Sequence, residues 1–511
     1  MAAENGALPG AKVGGIGDVI RDLPAAVDGV GWPATVLTPS YGRLHLLDAA
    51  REIASVNARF RGEDHTVGVY EIPHPENEVR YVVLDHGFFV PTEPGIVYHD
   101  DTASRPYATD ADKFAFFCAA AAAWIDARDS LPAAIHLHDW HAGVFAILRE
   151  FDPRYARLKE VPIFFTIHNL SYQGQRPLAD DISSLEAWFP DLEVDEEVIG
   201  DPHAEDVVNP MAAAIRLVDR VNAVSPTYAE EIQRPSDPAH GFIGGEGLEG
   251  DLARAAEEDR LVGILNGCFY DLPETRALRW SGLKELAVST VSGWLEKQPG
   301  EAVHELALER LSSLRRRRPM HVLTSVGRVV DQKMRLMFAE TTSGTGALEQ
   351  VLDELGDRGV LFLLGSGEKR YEEALHEIAK NADNLIFLRG YAEGFGDALY
   401  EAGDLFLMPS SFEPCGISQM LAMRAGQPCV VHGVGGLADT IEHGVTGFVF
   451  DGDSPTALAT NFVDCVGEAL TLREKHPNRW HRICAAAKKA RFDWTSSAEQ
   501  YVRLLYDHAR N

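Results

Sequence analysis

Short runs of aliphatic, β-branched and aromatic residues alternate along the chain with Ala- and Leu-rich stretches of helical length. The runs are Ala34–Thr38, Arg80–Leu84, Ala134–Leu137, Val161–Ile167, Arg220–Val224, His321–Ser325, Val360–Leu364, Leu385–Leu388, Leu405–Met408 and Cys429–His432. Polar residues rarely alternate within them. Strands of that kind are covered on both faces, the pattern of parallel sheets joined by crossover helices. Two such series occur, one in roughly residues 1–255 and one in roughly 320–480. The stretch between them is helical and charge-rich, and it ends in Arg315-Arg316-Arg317-Arg318, read as a solvated helix end. The expected fold class is α/β, with two doubly wound parallel-sheet domains. Such sheets place ligands at the carboxyl ends of their strands, hence in a cleft between the two.

Composition narrows the classes. At 511 residues the chain exceeds a single core. The longest apolar run, Phe114 to Ile125, is too short to span a bilayer. No charged-then-apolar leader opens the chain. Six scattered cysteines without a CxxC or Cys/His cluster argue against zinc and against a disulfide framework, and fit a reducing cytoplasm. Asp and Glu total 77 against 47 Lys and Arg, only eleven of them Lys, for a net charge of −30. That balance disfavours nucleic acid and anionic membranes as partners. It fits a surface adapted to a salty cytoplasm, or equally a coding bias toward Arg. Any anionic ligand needs a local basic pocket.

Seven motifs sit at strand ends. Lys12-Val13-Gly14-Gly15-Ile16-Gly17-Asp18 opens a helix; its glycines admit close backbone approach, and Lys12 adds a point charge. His136-Leu137-His138-Asp139-Trp140-His141 invites a metal reading, but no second cluster completes a site. His168-Asn169 ends another strand. Arg328 and Lys333, five apart, can clamp a diphosphate. Arg389-Gly390-Tyr391 offers an aromatic face for a base. Glu413-Pro414-Cys415-Gly416-Ile417-Ser418 joins strand to helix, placing a carboxylate beside free N–H groups, a combination suited to a ligand with hydroxyls and phosphate. Gly433-Val434-Gly435-Gly436-Leu437-Ala438-Asp439-Thr440 is a further glycine-rich helix start.

In this order the motifs resemble those of bacterial glycogen synthases and plant starch synthases over nearly the whole chain. The resemblance implies the GT-B fold of two Rossmann-like domains, residues 1–258 on the acceptor side and 259–490 binding the donor. Residues 491–511 are then a C-terminal helix (Ala498 to His508) returning to the first domain. It implies retaining transfer of glucose from a sugar nucleotide, ADP-glucose by bacterial habit, to the non-reducing 4-hydroxyl of an α-1,4-glucan. Glu413, His168, Asp139, Arg328 and Lys333 are the implied catalytic residues. Lys12, Gly14, Gly15, Asn169, Asn266, Tyr391, Cys415, Gly416, Ile417 and Ser418 are the implied donor-binding residues. No cofactor or metal is implied, and the oligomeric state is open.

Two departures stand out. The family begins with a central strand before the Ser-Glu that corresponds to Ala3-Glu4, so most of the first strand is expected to be missing. A chain extended upstream by about eight mostly apolar residues is expected to be more stable and more active, because a central parallel strand is paired on both sides. Second, Gly263-Ile264-Leu265-Asn266-Gly267 matches, but the continuation from Cys268 through Asp271-Leu272-Pro273 to about residue 318 matches poorly. Three other classes share parts of this pattern. A glucan phosphorylase needs pyridoxal phosphate on a lysine, which an absorbance scan detects. A Rossmann dehydrogenase is disfavoured because neither glycine cluster reads G-x-G-x-x-G. A non-catalytic glucan-binding relic is disfavoured by the intact Lys12, His168, Arg328, Lys333 and Glu413.

Overall fold

The computed structural model describes residues 1–75, 77–270 and 278–507, so Asp271-Leu272-Pro273 and His508 lie outside the described residues. The chain divides into two compact units. The first holds residues 1–236, 244–267 and 493–511; the second holds 237–243 and 268–492.

The first unit contains β1 (Thr35–Pro39), β2 (Arg51–Phe60), β3 (Glu63–Ile72), β4 (Arg80–Asp85), β5 (Ile135–His138) and β6 (Ile163–Ile167). A two-residue antiparallel pair, β7 (Arg176–Pro177) and β8 (Val207–Val208), precedes β9 (Arg220–Ala223) and β10 (Leu261–Gly263). The strands form two sheets of order β1-β4-β3-β2 and β10-β9-β6-β5. Residues 1–3 lie between them. Ala2 N–H donates to Leu37 O at 3.1 Å, the Met1 amino group to His136 O at 2.7 Å, and His138 N–H to Met1 O at 3.1 Å. No strand is assigned before helix Gly15–Gly29 among the described residues, and this short backbone bridges β1 to β5.

Beside its parallel pairs the first unit carries antiparallel ones. β2 pairs antiparallel with β3, and β3 with β4. The outer half of β2 is solvent-exposed, so its residues never show the two-face burial that marks the other strands. β10 also falls in the first unit, where it pairs with β9, rather than opening the second.

The second unit carries β11 (His321–Val326), β12 (Gly359–Gly365), β13 (Leu385–Arg389), β14 (Leu405–Met408), β15 (Cys429–His432) and β16 (Phe448–Phe450). They form one parallel sheet of order β13-β12-β11-β14-β15-β16. Alternate residues feed two cores. Leu323, Leu361, Leu363 and Leu405 pack with Val351, Leu355, Phe462 and Val466 on one face. Val322, Val360, Phe362 and Ile386 pack on the other with Leu283, Ala287, Val291 and Leu311. The poorly matching stretch therefore supplies two helices, Trp280–Lys297 and Ala302–Ser313, that cover one face of this sheet.

Helix Trp494–Leu504 belongs to the first unit. Asp493 caps it by accepting Ser496 N–H at 2.9 Å, the usual role of a side-chain oxygen at that position. Trp494, Ala498 and Tyr501 pack on Val19, Leu23 and Val27 of helix Gly15–Gly29, and Trp494 Nε1 donates to Asp22 Oδ2 at 3.2 Å. Trp494 is 3% exposed. Trp494→Ala is expected to destabilise the first unit by about 3–5 kcal/mol, the range for emptying a buried aromatic site. Urea unfolding followed by circular dichroism measures it; a loss below about 1 kcal/mol would show that the helix docks without this ring.

Candidate active site

In the second unit the chain crosses from β13, at one edge, to β14 on the other side of β11. The sheet therefore has its topological switch at β11, where open α/β sheets form ligand crevices at the strand carboxyl ends. A small pocket here is lined by Ser325, Gly327, Lys333, Met334, Met408 and Ser410. Lys333 sits in the first turn of helix Asp331–Phe338, which follows the β11 loop. Its ammonium pairs with Glu413, whose carboxylate also accepts Ser410 Oγ–H at 2.9 Å. Glu413 is 7% exposed, so its charge is largely removed from water and depends on these two donors.

The loop that carries Glu413 is pinned from both sides. Gln332 Nε2 donates to Phe412 O at 2.9 Å and Ser411 N–H donates to Gln332 O at 2.8 Å. Gly436 N–H donates to Glu413 O at 3.1 Å. Gly435 has φ +44°, and a Cβ there would lie 2.0 Å from that same carbonyl oxygen, so only glycine fits. Beyond Glu413, Gly416 (φ +77°) turns the chain into helix Ser418–Ala425. The N–H groups of Gly416, Ile417 and Ser418 make no hydrogen bond among the described residues, as the first N–H groups of a helix lack internal partners. Cys415 is buried beneath this turn. Arg328 is exposed on the loop after β11. Tyr391, just after β13, is 70% exposed.

In the first unit, β5 and β6 deliver their motifs side by side. Asp139 follows β5 with φ 53° and ψ 179°, a conformation that normally belongs to glycine and stores about 1–3 kcal/mol. Its carboxylate accepts His168 N–H at 2.7 Å. Burial raises the Asp139 carboxyl to about 8, against the lowering effect of the His168 and Asn169 N–H groups. His168 in turn is pushed down to about 3 by burial, so its imidazole is neutral. His168 Nε2 and His138 Nδ1 are 2.9 Å apart. Asn169 Oδ1 accepts Ser171 N–H at 3.1 Å.

The glycine loop is arranged differently from the sequence expectation. Glu4, 2% exposed, accepts N–H groups from Val13 (2.8 Å), Gly14 (2.6 Å) and Gly17 (3.2 Å), and Tyr98 O–H at 3.0 Å. A carboxylate of the chain thus fills the nest in which Gly14 was expected to meet a phosphate. Gly15 remains exposed, with open space around its Cα. Lys12 pairs with Asp18 at 2.6 Å. Asn266 is buried, and its Oδ1 has no hydrogen-bond partner among the described residues; the same holds for His141 Nδ1.

A family model for the starch synthase catalytic domain matches residues 1–254, and one for group 1 glycosyl transferases matches 321–468. A glycogen synthase of Clostridioides difficile is 30% identical over 98% of this chain and 97% of its own. The chain belongs to the glycogen and starch synthase family of hexosyltransferases. A glycogen synthase of Francisella tularensis subsp. holarctica is 29% identical over 96% of this chain and 95% of its own. The catalytic domain of starch synthase IV from Arabidopsis thaliana, solved with ADP and acarbose, superposes with a TM-score of 0.73. It is 26% identical, over 98% of this chain and 97% of that one. A sucrose-phosphate synthase from Thermosynechococcus elongatus shares the fold, with a TM-score of 0.55 at 16% identity, over 97% of this chain and 94% of that one.

Within this glycogen synthase relative, the second unit brings together Lys333, Glu413, Cys415, Gly416, Ile417 and Ser418, and the first gathers Asp139, His168 and Asn169. Glu4, Ser410, Gln332 and His138 were missed as site residues. Glu4 had a signal, since it aligns with the family's Ser-Glu, but nothing in the sequence says that its carboxylate folds back onto the loop.

The Asp139 shift has a measurable sign. Below its ordinary value of 3.8 the acid is neutral folded or unfolded; from there to about 8, ionisation favours the unfolded chain. Asp139→Asn keeps an acceptor for His168 N–H and removes the charge. Its melting temperature is expected to exceed that of the parent, by more at about pH 8.5 than at about pH 6. A difference constant with pH would show that the carboxyl is not held protonated.

Proposed function

We propose that the chain elongates an α-1,4-glucan by transferring glucose from ADP-glucose to the non-reducing 4-hydroxyl, with retention at the anomeric carbon. The observation that carries this reading is the cluster of Lys333, Glu413 and the unbonded N–H groups of Gly416 to Ser418 at one end of the second sheet. It offers a cation paired with a sugar-binding carboxylate, and anion-binding donors three to five residues further along the chain from that carboxylate. The family supports glucan synthesis, and the starch synthase IV structure was solved with ADP and acarbose. UDP-glucose is the alternative donor.

In this reading the bond between C1 and the diphosphate oxygen breaks while C1 bonds to the acceptor O4. The O4 proton passes to the departing phosphate. Negative charge develops on the leaving group, and Lys333, Arg328 and the helix N–H groups absorb it. Lys12 and the exposed Gly15 add to the donor's surroundings. The carboxylate of Glu413 orients the glucose hydroxyls. On admitting the donor, Lys333 exchanges one oxyanion partner for another. Neutral His168 holds a sugar hydroxyl, with Asn169 beside it and Asp139 fixing the His168 backbone. Asn266 brings its unpaired amide oxygen, Cys415 and Ile417 shape the turn, and Tyr391 stacks on the base.

The deciding assay is glucose transfer from ADP-glucose and from UDP-glucose onto glycogen; transfer from neither overturns the reading. Lys333→Ala and Glu413→Ala are each expected to lower turnover at least about 10²-fold, the scale of losing a preorganised electrostatic group. Turnover equal to the parent in either variant removes that residue from the mechanism. Tyr391→Ala is expected to raise KM for the donor more than it lowers kcat, since a stacking contact is worth about 1–3 kcal/mol in ground and transition states alike. An unchanged KM would assign Tyr391 another role.

A further inference from the structure

The first unit contains a column of three histidines, two on β5 and one just after β6. His136 and His138, on β5, stack with ring centroids 4.4 Å apart and an interplanar angle of 22°. His138 and His168 stack in turn at 5.2 Å and 29°. The base of the column is anchored: His136 Nδ1 lies 2.8 Å from Tyr506 O–H and its Nε2 lies 2.7 Å from Thr166 Oγ1. At the top, His138 Nδ1 meets His168 Nε2 at 2.9 Å. His138 is 5% exposed, and His168, at the strand end, is half-buried.

From this geometry we infer that His138 is a positioning residue, which fixes the ring orientation and tautomer of His168 so that His168 Nδ1 is the atom presented to the donor sugar. The inference rests on the proposed role of His168. A neutral imidazole carries one N–H and one bare nitrogen, and the bond made by one nitrogen decides the character of the other. Two neutral rings facing through Nδ1 and Nε2 must be one donor and one acceptor. His138 therefore selects one His168 tautomer out of two. His168 Nδ1 makes no hydrogen bond among the described residues, so it remains available to a hydroxyl.

The surroundings favour neutrality throughout the column. Burial drives His136 and His138 well below the ordinary imidazole range; the amino terminus and then His168 lower His136 further, and His136, His168 and the amino terminus lower His138. The carboxyl facing His168 from the loop after β5 is Asp139, which meets the His168 backbone N–H and not its ring. The carboxylate of Glu4 is held by the glycine loop and Tyr98. Among the described residues no ion pair holds a charge on either ring of the His138–His168 pair.

The test uses the full chain labelled with ¹⁵N-histidine, with His168 assigned by the signal lost in His168→Asn. The parent is expected to show His168 as a single neutral tautomer from about pH 6 to about pH 8, whereas a free imidazole titrates near 6.5. A mixture of tautomers, or titration near that value, in the parent itself overturns the inference. His138→Phe keeps the stack and removes the nitrogen; it is expected to mix the His168 tautomers and lower kcat for glucose transfer from ADP-glucose by about tenfold to 10²-fold, a cost typical of a misplaced group. KM for ADP-glucose should change by less than about threefold, and the acid limb of the kcat profile should move up. His138→Asn, whose side-chain amide stands near the former Nδ1, is expected to restore a single tautomer and most of kcat. An unshifted His168 signal in His138→Phe, or failure of His138→Asn to restore it, overturns the inference. If the parent transfers no glucose, the proposed function falls, while the His168 signals still decide whether His138 sets its tautomer.

Discussion

Burial of the sheets on both faces is the constraint from which the rest of this structure follows. In the second unit, successive residues of β11 and β12 feed opposite cores, so the strands tolerate few charged side chains along their length. Charge collects where the strands stop. Lys333, Glu413, Arg328 and Arg389 all lie at or beyond a strand end, as do Asp139 and His168 in the first unit. Each of these strand ends sets polar side chains on a rigid apolar base.

A second regularity concerns who owns the loop N–H groups. In an acidic chain, carboxylates take many of the backbone donors that could serve a phosphate. Glu4 takes those of Val13, Gly14 and Gly17; Asp139 takes that of His168; Glu368 takes that of Asp331; Glu372 takes that of Gly367. Each such contact stiffens a loop and closes it to anions. The turn Gly416 to Ser418 is different: among the described residues no carboxylate folds onto it, and the nearby carboxylate Glu413 is matched by Lys333. The turn keeps local positive character despite a net charge of −30.

The first unit is more strained and more deeply buried than the second at the corresponding place. Asp139 combines a backbone conformation suited to glycine with a carboxyl pushed toward its neutral form. Around it, His138 and Tyr228 are buried, and His136, His168 and Tyr98 are partly buried. Strain and desolvation of this kind persist only where the surrounding packing over-determines them. Here that packing comes from helix Ala108–Asp126, buried almost all round, and from the docked helix Trp494–Leu504.

The amino-acid sequence by itself determined the ten two-face-buried strands, their division into two series, and the motif at nearly every strand end. Burial on both faces writes an unbroken apolar run, and glycine at a strand-to-helix turn is a local requirement. The hairpin β2–β3 escaped because its outer edge is solvated and carries no such run. β10 and β16, three residues each, are too short to stand out from loop. Only the tertiary structure decided that Glu4 fills the glycine nest, that Gln332 braces the loop carrying Glu413, and that His138 faces His168. Those contacts join residues 10, 80 or 30 positions apart. Hydrogen bonds of that span depend on where strands pair and stop, which no local pattern encodes.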